Sequence, residues 1–198
     1  MAGQYLATHF TPSVLAAQRR FYGRSHSVSP QPQPDLLTPD EIEFIGRRDS
    51  FYLATVSSNG WPYLQHRGGP PGFLKVVGSN RLAFADYQGN RQMLSTGNLA
   101  DNDRVALFLM DYPHRTRLKL MGHARVLDAC EQPELAASLT NPETSEVVER
   151  VFEVNVISFD WNCPKHITPR FTEAEVREAI EPLHRRIAEL EVQLKSRP

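Results

Sequence analysis

The stretch FYLATVSSNGWPYLQH, residues 51–66, decides the fold. Its first part is rich in aromatic and β-branched residues, Ser58-Asn59-Gly60 has the composition of a tight turn, and WPYLQH can form a returning strand. This pattern predicts a β-hairpin. The next segment repeats it, because LKVVGSNRLAFAD (74–86) also places a polar turn between two strands.

Three further strands are predicted at RVALFLMD (104–111), RLKLMGHARVLD (117–128) and VFEVNVISFDW (151–161). The apolar run of the first is nearly continuous, which predicts burial on both faces. Short helices are predicted at 13–22, 40–48 and 90–99. Strands joined by hairpins favour an antiparallel barrel over a parallel sheet. The predicted fold class is therefore mainly β (α+β), a six-stranded antiparallel barrel with flanking helices.

Composition excludes several classes of protein. The 198 residues contain 22 Lys and Arg against 23 Asp and Glu, for a net charge of -1, so the basic excess of a nucleic-acid-binding protein is missing. The two cysteines, Cys130 and Cys163, are too few for a disulfide scaffold. No run approaches the roughly 18 apolar residues of a membrane span. We expect a cytoplasmic protein with neither a nucleic-acid nor a membrane partner.

The chain divides into three regions. Residues 1–38 contain the first helix and a strap with four prolines in SVSPQPQPDLLTP, residues 39–170 form the barrel domain, and residues 171–198 form a C-terminal helix. Thr172 and Glu175 fit a capping box. Apolar residues then follow a heptad spacing at Val176, Ile180, Leu183, Ile187, Leu190 and Leu194. Pro182 is predicted to kink or restart this helix. The heptad seam can pack on its own barrel or on a second chain.

Three polar clusters are candidate sites. The first is the glycine-rich segment Gln65–Gly72, in which Arg67 could grip a phosphate. The second runs from Asp86 to Gln92, where a strand is predicted to lead into a helix N-terminus that attracts anions. The third begins at Trp161. No P-loop or dinucleotide-binding glycine motif is present, and Cys163 with His166 makes at most half a metal site, so no metal is predicted.

These clusters, in this order, resemble the pyridoxamine 5′-phosphate oxidase-like family of FMN-binding split barrels. The resemblance covers FYLATVSSNGWPYLQHRGGPPGFLKVV, RLAFADYQGNRQMLSTGNLADNDRVALFLMDY, RLKLMGHARVLD and ISFDWNCPKHITPRF, roughly residues 40–170. It implies a split barrel that dimerises and binds FMN at the interface between two chains. The segment WNCPKHITPR differs from the W…R-x-H type ending of the true oxidase, so the implied function is FMN-dependent oxidoreduction of another small substrate.

The resemblance also implies roles for particular residues. The flavin edge and phosphate would contact Gln65, His66, Arg67, Gly68, Lys75, Asp86, Asn90, Arg91 and Gln92. The strand that reaches the partner's flavin carries Arg117 and Lys119. A closing wall from the partner chain would contain Trp161, Cys163, Lys165, His166 and Arg170. The family's phosphate-binding lysine is missing beside Arg91, and no catalytic side chain is assigned.

Three alternative functions remain open at this point. The same barrel could store or sense flavin without turnover, or it could use a deazaflavin or haem. The heptad helix could also make the protein an interaction module.

Overall fold

The computed structural model describes residues 3–27, 29, 33–142, 147–161 and 165–195. The chain divides into two compact units. The first contains Met1–Met110 and Arg117–Cys163, and the second contains Asp111–Thr116 and Pro164–Pro198. The helices are α1 (Gly3–His9), α2 (Pro12–Tyr22), α3 (Pro39–Gly46), α4 (Leu94–Asp101), α5 (Pro133–Leu139) and α6 (Glu173–Lys195). The strands are β1 (Ser50–Val56), β2 (Pro62–Gly68), β3 (Lys75–Val76), β4 (Arg81–Tyr87), β5 (Arg104–Asp111), β6 (Thr116–Asp128) and β7 (Val148–Trp161).

One sheet contains the seven strands of the described residues in the order β2-β1-β5-β6-β7-β4-β3. The predicted hairpin at 51–66 is confirmed, because β1 and β2 pair antiparallel from Val56↔Pro62 to Ser50↔Gly68. Gly60 occupies the left-handed region at φ 86°, which the turn requires. The fold class is confirmed as mainly antiparallel β with flanking helices. The first strand of the second predicted hairpin is β3, only two residues long, and with it the sheet has seven strands rather than six.

The core lies against one face of the central strands. Alternate residues of β1 and β5 are buried, among them Phe51, Leu53, Leu107 and Leu109. The prediction that β5 is buried on both faces is wrong: its burial alternates, and on the outer face Ala106 is exposed. An antiparallel sheet commonly packs only one face on the core, so a continuous apolar run did not require burial on both sides here.

A β-bulge interrupts the pairing of the two longest strands, β6 and β7. The β6–β7 register shifts between Met121 and Gly122. A Cβ atom at Gly122 would overlap the carbonyl oxygen of Asn155, so this position requires glycine.

In the second unit, the capping box of α6 is confirmed. The backbone N–H and hydroxyl of Thr172 donate to Glu175 at 2.7 and 2.8 Å. The helix continues through Pro182 without restarting, and none of its residues is buried. Among the described residues, every helix is too short or too polar to span a bilayer.

A buried carboxylate anchors α3 to the end of β7. Glu41 accepts hydrogen bonds from the backbone N–H of Thr38 at 2.8 Å and from the indole N–H of Trp161 at 2.6 Å. Burial by itself would raise the pKa of Glu41, but the hydrogen bonds from Thr38 and Trp161 outweigh burial and lower that pKa below its ordinary value. The ionised form of Glu41 therefore stabilises the fold.

We expect Glu41→Gln to lower the free energy of unfolding at pH 7 by about 1.5–3 kcal/mol, the usual value of a hydrogen bond to a charged group. Ionised Glu41 stabilises the fold above its unfolded-state pKa, and this contribution disappears as the pH falls through the lower folded-state pKa. The difference between variant and wild type in urea unfolding should therefore shrink below about pH 4. Glu43→Gln, which breaks only an exposed pair with Arg47 on the same helix, is the control. An equal loss in both variants would contradict this assignment.

Candidate functional site

A buried ion-paired group joins strands that are far apart in the sheet order. Arg67 on β2 donates from Nη1 to Oδ1 of Asp86 on β4 at 2.6 Å. Arg150 on β7 donates from Nε and Nη2 to Oδ2 of the same carboxylate, both at 2.9 Å. The Asp86 side chain is only 11% exposed, so this carboxylate needs the two guanidinium groups as compensation.

Arg67 is also enclosed by aromatic rings. Its guanidinium carbon lies 4.9 Å from the ring centre of Phe152 and 5.5 Å from that of Phe84. Its Nε is buried and has no hydrogen-bond partner. Arg67 thus points inward, and its side chain is already bound to Asp86. Its predicted contact with a cofactor stays a prediction.

A polar cleft of about 180 Å³ opens beside this group. Its walls come from β2, the end of β4, the loop 88–93, the start of α4 and Arg150. The predicted residues that it brings together are Gln65, Arg67, Asp86, Asn90, Arg91 and Gln92. Arg150 also pairs with Glu149 at 3.0 Å. The two arginines bound to Asp86 are thus balanced by two carboxylates, and Arg91 gives the cleft its net positive charge. The cleft therefore fits an anionic group.

The loop before α4 differs from its prediction. The helix begins at Leu94 rather than Asn90. Arg91 and Met93 adopt left-handed backbone angles, φ 60° and 57°, and the Asn90 side chain accepts the N–H of Gln92 at 3.1 Å. These local bonds replace the first helical turn. A loop held in rarely populated backbone angles is a common property of ligand-binding segments.

The N-terminus of α4 lines this same cleft. Met93 is its N-cap and supplies no side-chain hydrogen bond to the first turn. The N–H groups there carry the positive end of the helix dipole. Ser95 instead uses its hydroxyl to donate to Oε1 of Gln65 at 2.8 Å, which fastens α4 to β2.

Strand alternation separates residues that are neighbours in the sequence. Gln65 and Arg67 line the cleft, whereas His66 is exposed and packs edge-to-face on Tyr52, 5.6 Å between ring centres. An adjoining cavity of about 220 Å³ shares Arg67 and Asp86 with the cleft and adds His66 and Gly68. The cleft therefore has room to continue along β2.

The glycine–proline loop after β2 has a packing reason for its composition. A Cβ at Gly69 would lie 2.7 Å from the ring of Phe73, and Gly72 has φ 85°. This loop lines a cavity of about 420 Å³ that also contains Lys75. Lys75 donates to the carbonyl oxygen of Ser138 at 2.5 Å and is not among the residues that line the 180 Å³ cleft. The predicted phosphate contact of Lys75 is therefore not supported by its position.

The predicted residues of β6 lie elsewhere in the first unit. Arg117 stacks over Phe108 at 5.5 Å, and Lys119 pairs with Asp160 at 2.5 Å. Tyr5 of α1 lies over Lys119, 4.8 Å from Nζ to the ring centre. Burial is the main cause that raises the pKa of Tyr5, and the negative charge of Asp160 raises this pKa further. Neither basic residue lines the 180 Å³ cleft of this chain.

The predicted closing wall is only partly described. Trp161 contacts its own chain, because its indole binds Glu41 and its ring lies edge-on to Phe44 at 4.8 Å. Lys165, His166 and Arg170 are exposed, and Arg170 stacks over Tyr112 at 5.0 Å. Cys163 lies outside the described residues. No group of three or more His, Cys, Asp or Glu that could hold a metal occurs in the part of the chain that the structure describes.

Sequence reasoning missed two residues of the site, Ser95 and Arg150. Ser95 belongs to the segment interpreted as a helix, but no local signal indicated that it binds Gln65. Arg150 lies just before the last predicted strand, which was expected to begin at residue 151. Its position follows only from the pairing of β7 with β4, in which Asp86 is opposite Arg150.

The mainly antiparallel sheet with flanking helices is a fold of the split-barrel class, and the cleft lies between β2, β4 and the start of α4. The chain belongs to the pyridoxamine 5′-phosphate oxidase family, whose sequence model matches residues 37–158, more than half of the chain. No curated protein matches the sequence.

Solved structures with a similar fold have low sequence identity to this chain. A variant of HupZ from Group A Streptococcus is 13% identical, with a TM-score of 0.49 over 63% of this chain and 98% of that one. An F420 reductase is 18% identical, with a TM-score of 0.43 over 67% and 98%. An FMN-binding protein from Syntrophomonas wolfei is 9% identical, with a TM-score of 0.43 over 62% and 86%.

We expect Asp86→Asn to lower the free energy of unfolding by about 3–5 kcal/mol, because it leaves the nearly buried guanidinium group of Arg67 without a carboxylate, while Arg150 keeps only Glu149. Urea unfolding followed by circular dichroism measures this loss. Asp101→Asn, at the exposed end of α4, is the control and should change stability little. If Asp86→Asn is as stable as the control, the ion-paired group does not hold β2 to β4.

Proposed function

We propose that this protein binds FMN and is an FMN-dependent oxidoreductase acting on a small substrate. The observation that carries the proposal is the basic cleft at the start of α4, in a chain of the pyridoxamine 5′-phosphate oxidase family. The cleft offers an anion the N–H groups of an uncapped helix N-terminus and the side chain of Arg91. FMN has one such group, its phosphate.

The residues present fit the phosphate end of the cofactor. Arg91 is exposed at the mouth of the cleft, whereas Arg67 and Arg150 are bound to Asp86 behind it. We assign the direct phosphate contact to Arg91. The two arginines behind it are balanced by Asp86 and Glu149, so the positive charge that faces the phosphate comes from Arg91 and the start of α4.

Exposed apolar residues beside the cleft support a second chain in the site. The outer sheet face beside β2 leaves Leu64 63% exposed and Phe108 only half-buried. We propose that a second copy covers this face and completes the site in a homodimer. We also place the protein in the cytoplasm, as its low cysteine content indicates.

The flavin would supply the electron transfer itself. The task of this chain is then to bind the phosphate, orient the ring system along β2 and exclude water. The substrate differs from that of the true oxidase if the ending WNCPKHITPR binds it, which is the role that the family resemblance implies for this segment.

Storage or sensing of flavin is the second candidate function, and one observation favours it. Among the described residues that line the cleft, the only carboxylate is Asp86, already bound by two arginines, and there is no histidine or cysteine. Within the cleft, the phenols of Tyr63 and Tyr87 are the remaining side chains that could exchange a proton with a bound flavin. Turnover separates the two functions, because a storage protein would not cycle catalytically with a reductant and an acceptor.

The first experiment is an absorption spectrum of the purified protein, followed by mass spectrometry of the compound that heat releases. Flavin bands and about one FMN per chain would support the proposal. A deazaflavin or haem in the released fraction would replace FMN as the cofactor. A colourless protein that also fails to bind added FMN would refute the proposed function.

We expect Arg91→Ala to weaken FMN binding by about 10- to 150-fold, because it removes a charge-assisted contact of about 1.5–3 kcal/mol. Quenching of FMN fluorescence on titration measures the dissociation constant. Arg104→Ala, an exposed arginine at the start of β5, is the matched control. Unchanged affinity in Arg91→Ala would remove Arg91 from the phosphate site.

A further inference from the structure

Helix α6 presents an apolar seam that no other described residue buries. Its six seam residues are between 37% and 66% exposed: Val176, Ile180, Leu183, Ile187, Leu190 and Leu194. They alternate in steps of four and three, which gives a narrow stripe with a period of 3.5 residues. Such a stripe is narrower than the apolar face of a helix that packs on a globular core.

The residue types at the seam indicate the kind of partner. With Leu183 and Leu190 at position d of the heptad, Ile180 and Ile187 occupy position a. β-branched residues at a with leucine at d favour two-stranded parallel coiled coils. The occupant that fits this seam is therefore a second α6.

Charges beside the seam support the parallel orientation. Arg186 lies at position g and Glu191 at the following position e, the pair that meets between helices in a parallel dimer. Two symmetric pairs would form, one on each side of the seam. In the single chain Arg186 binds Glu189 at 2.8 Å, an exposed contact that is weak and easily exchanged.

Pro182 does not interrupt the seam. It falls at position c, which faces away from the partner helix. Because a proline removes one backbone hydrogen bond, α6 alone is a weakened helix and gains from a partner.

The charge of α6 argues against a lipid surface as the occupant. The helix carries six glutamates against three arginines and one lysine. Amphipathic helices that bind anionic membranes are instead rich in lysine and arginine on their polar face.

We propose that α6 pairs with α6 of a second copy as a parallel, in-register, two-stranded coiled coil. This inference goes beyond the proposed function, since it needs neither FMN nor the cleft.

Disulfide cross-linking of the full chain tests the orientation. In a background with Cys130→Ser and Cys163→Ser, single Val176→Cys and Leu190→Cys variants are oxidised and the dimer yield is measured on non-reducing gels. A disulfide needs Cα atoms about 4.4–6.8 Å apart, which like positions of a parallel pair can reach. In an antiparallel pair centred on Leu183, like positions at 176 would be about 21 Å apart along the axis.

The control is Arg185→Cys, at the outward position f. We expect both seam variants to cross-link in severalfold higher yield than the control. Yields equal to that of the control would overturn the proposal. Cross-linking only between mixed Val176→Cys and Leu190→Cys chains would also overturn it, in favour of an antiparallel pair.

A charge exchange gives a second test in the Val176→Cys protein. Glu191→Arg places like charges at the predicted contact and should lower the cross-linking yield, and adding Arg186→Glu should restore it. Failure of the double variant to restore the yield would refute the parallel register. Bound flavin is measured separately on the wild-type protein, in which Cys163 is intact, so cross-linking of the variants together with a wild-type protein that binds no flavin would refute the proposed function alone.

Discussion

The carboxylate of Asp86, bound between Arg67 and Arg150, is the constraint on which the site depends. A nearly buried carboxylate is costly unless opposite charges and hydrogen bonds compensate it, and here both partners come from other strands. Because Arg67 belongs to β2 and Asp86 to β4, their contact fixes two strands that are separated in the sheet order. The end of the β1–β2 hairpin and the loop before α4 are thereby held on either side of one cleft.

The same contact links stability with binding. The group that joins the strands also forms one side of the cleft, and its two arginines are balanced by Asp86 and Glu149. The positive charge comes from Arg91 and the uncapped start of α4, in a loop whose backbone angles are rarely populated. The site is therefore assembled from an ion-paired group and a strained loop, and an anion that binds there would neutralise the charge of Arg91.

The second unit depends on a different principle. Helix α6 has a local capping box at Thr172 and a heptad seam, and both depend on residues that are three or four positions apart in the sequence. Such a helix carries its own start signal, and its apolar stripe is exposed. The barrel unit has a buried apolar core, whereas α6 contains no buried residue.

The sequence by itself determined the features that depend on near neighbours: the hairpin at 51–66, the Thr172 cap, the heptad spacing and the family. Only the tertiary structure decided the site. Arg150 reaches Asp86 across 64 residues, Trp161 binds Glu41 across 120, and His66 is turned away from Gln65 by the strand that carries both. Local sequence patterns indicate where turns, helix caps and apolar faces are favourable. They do not indicate which strands become neighbours in the sheet. The pairing of β4 with β7 is what brings the guanidinium group of Arg150 to Asp86.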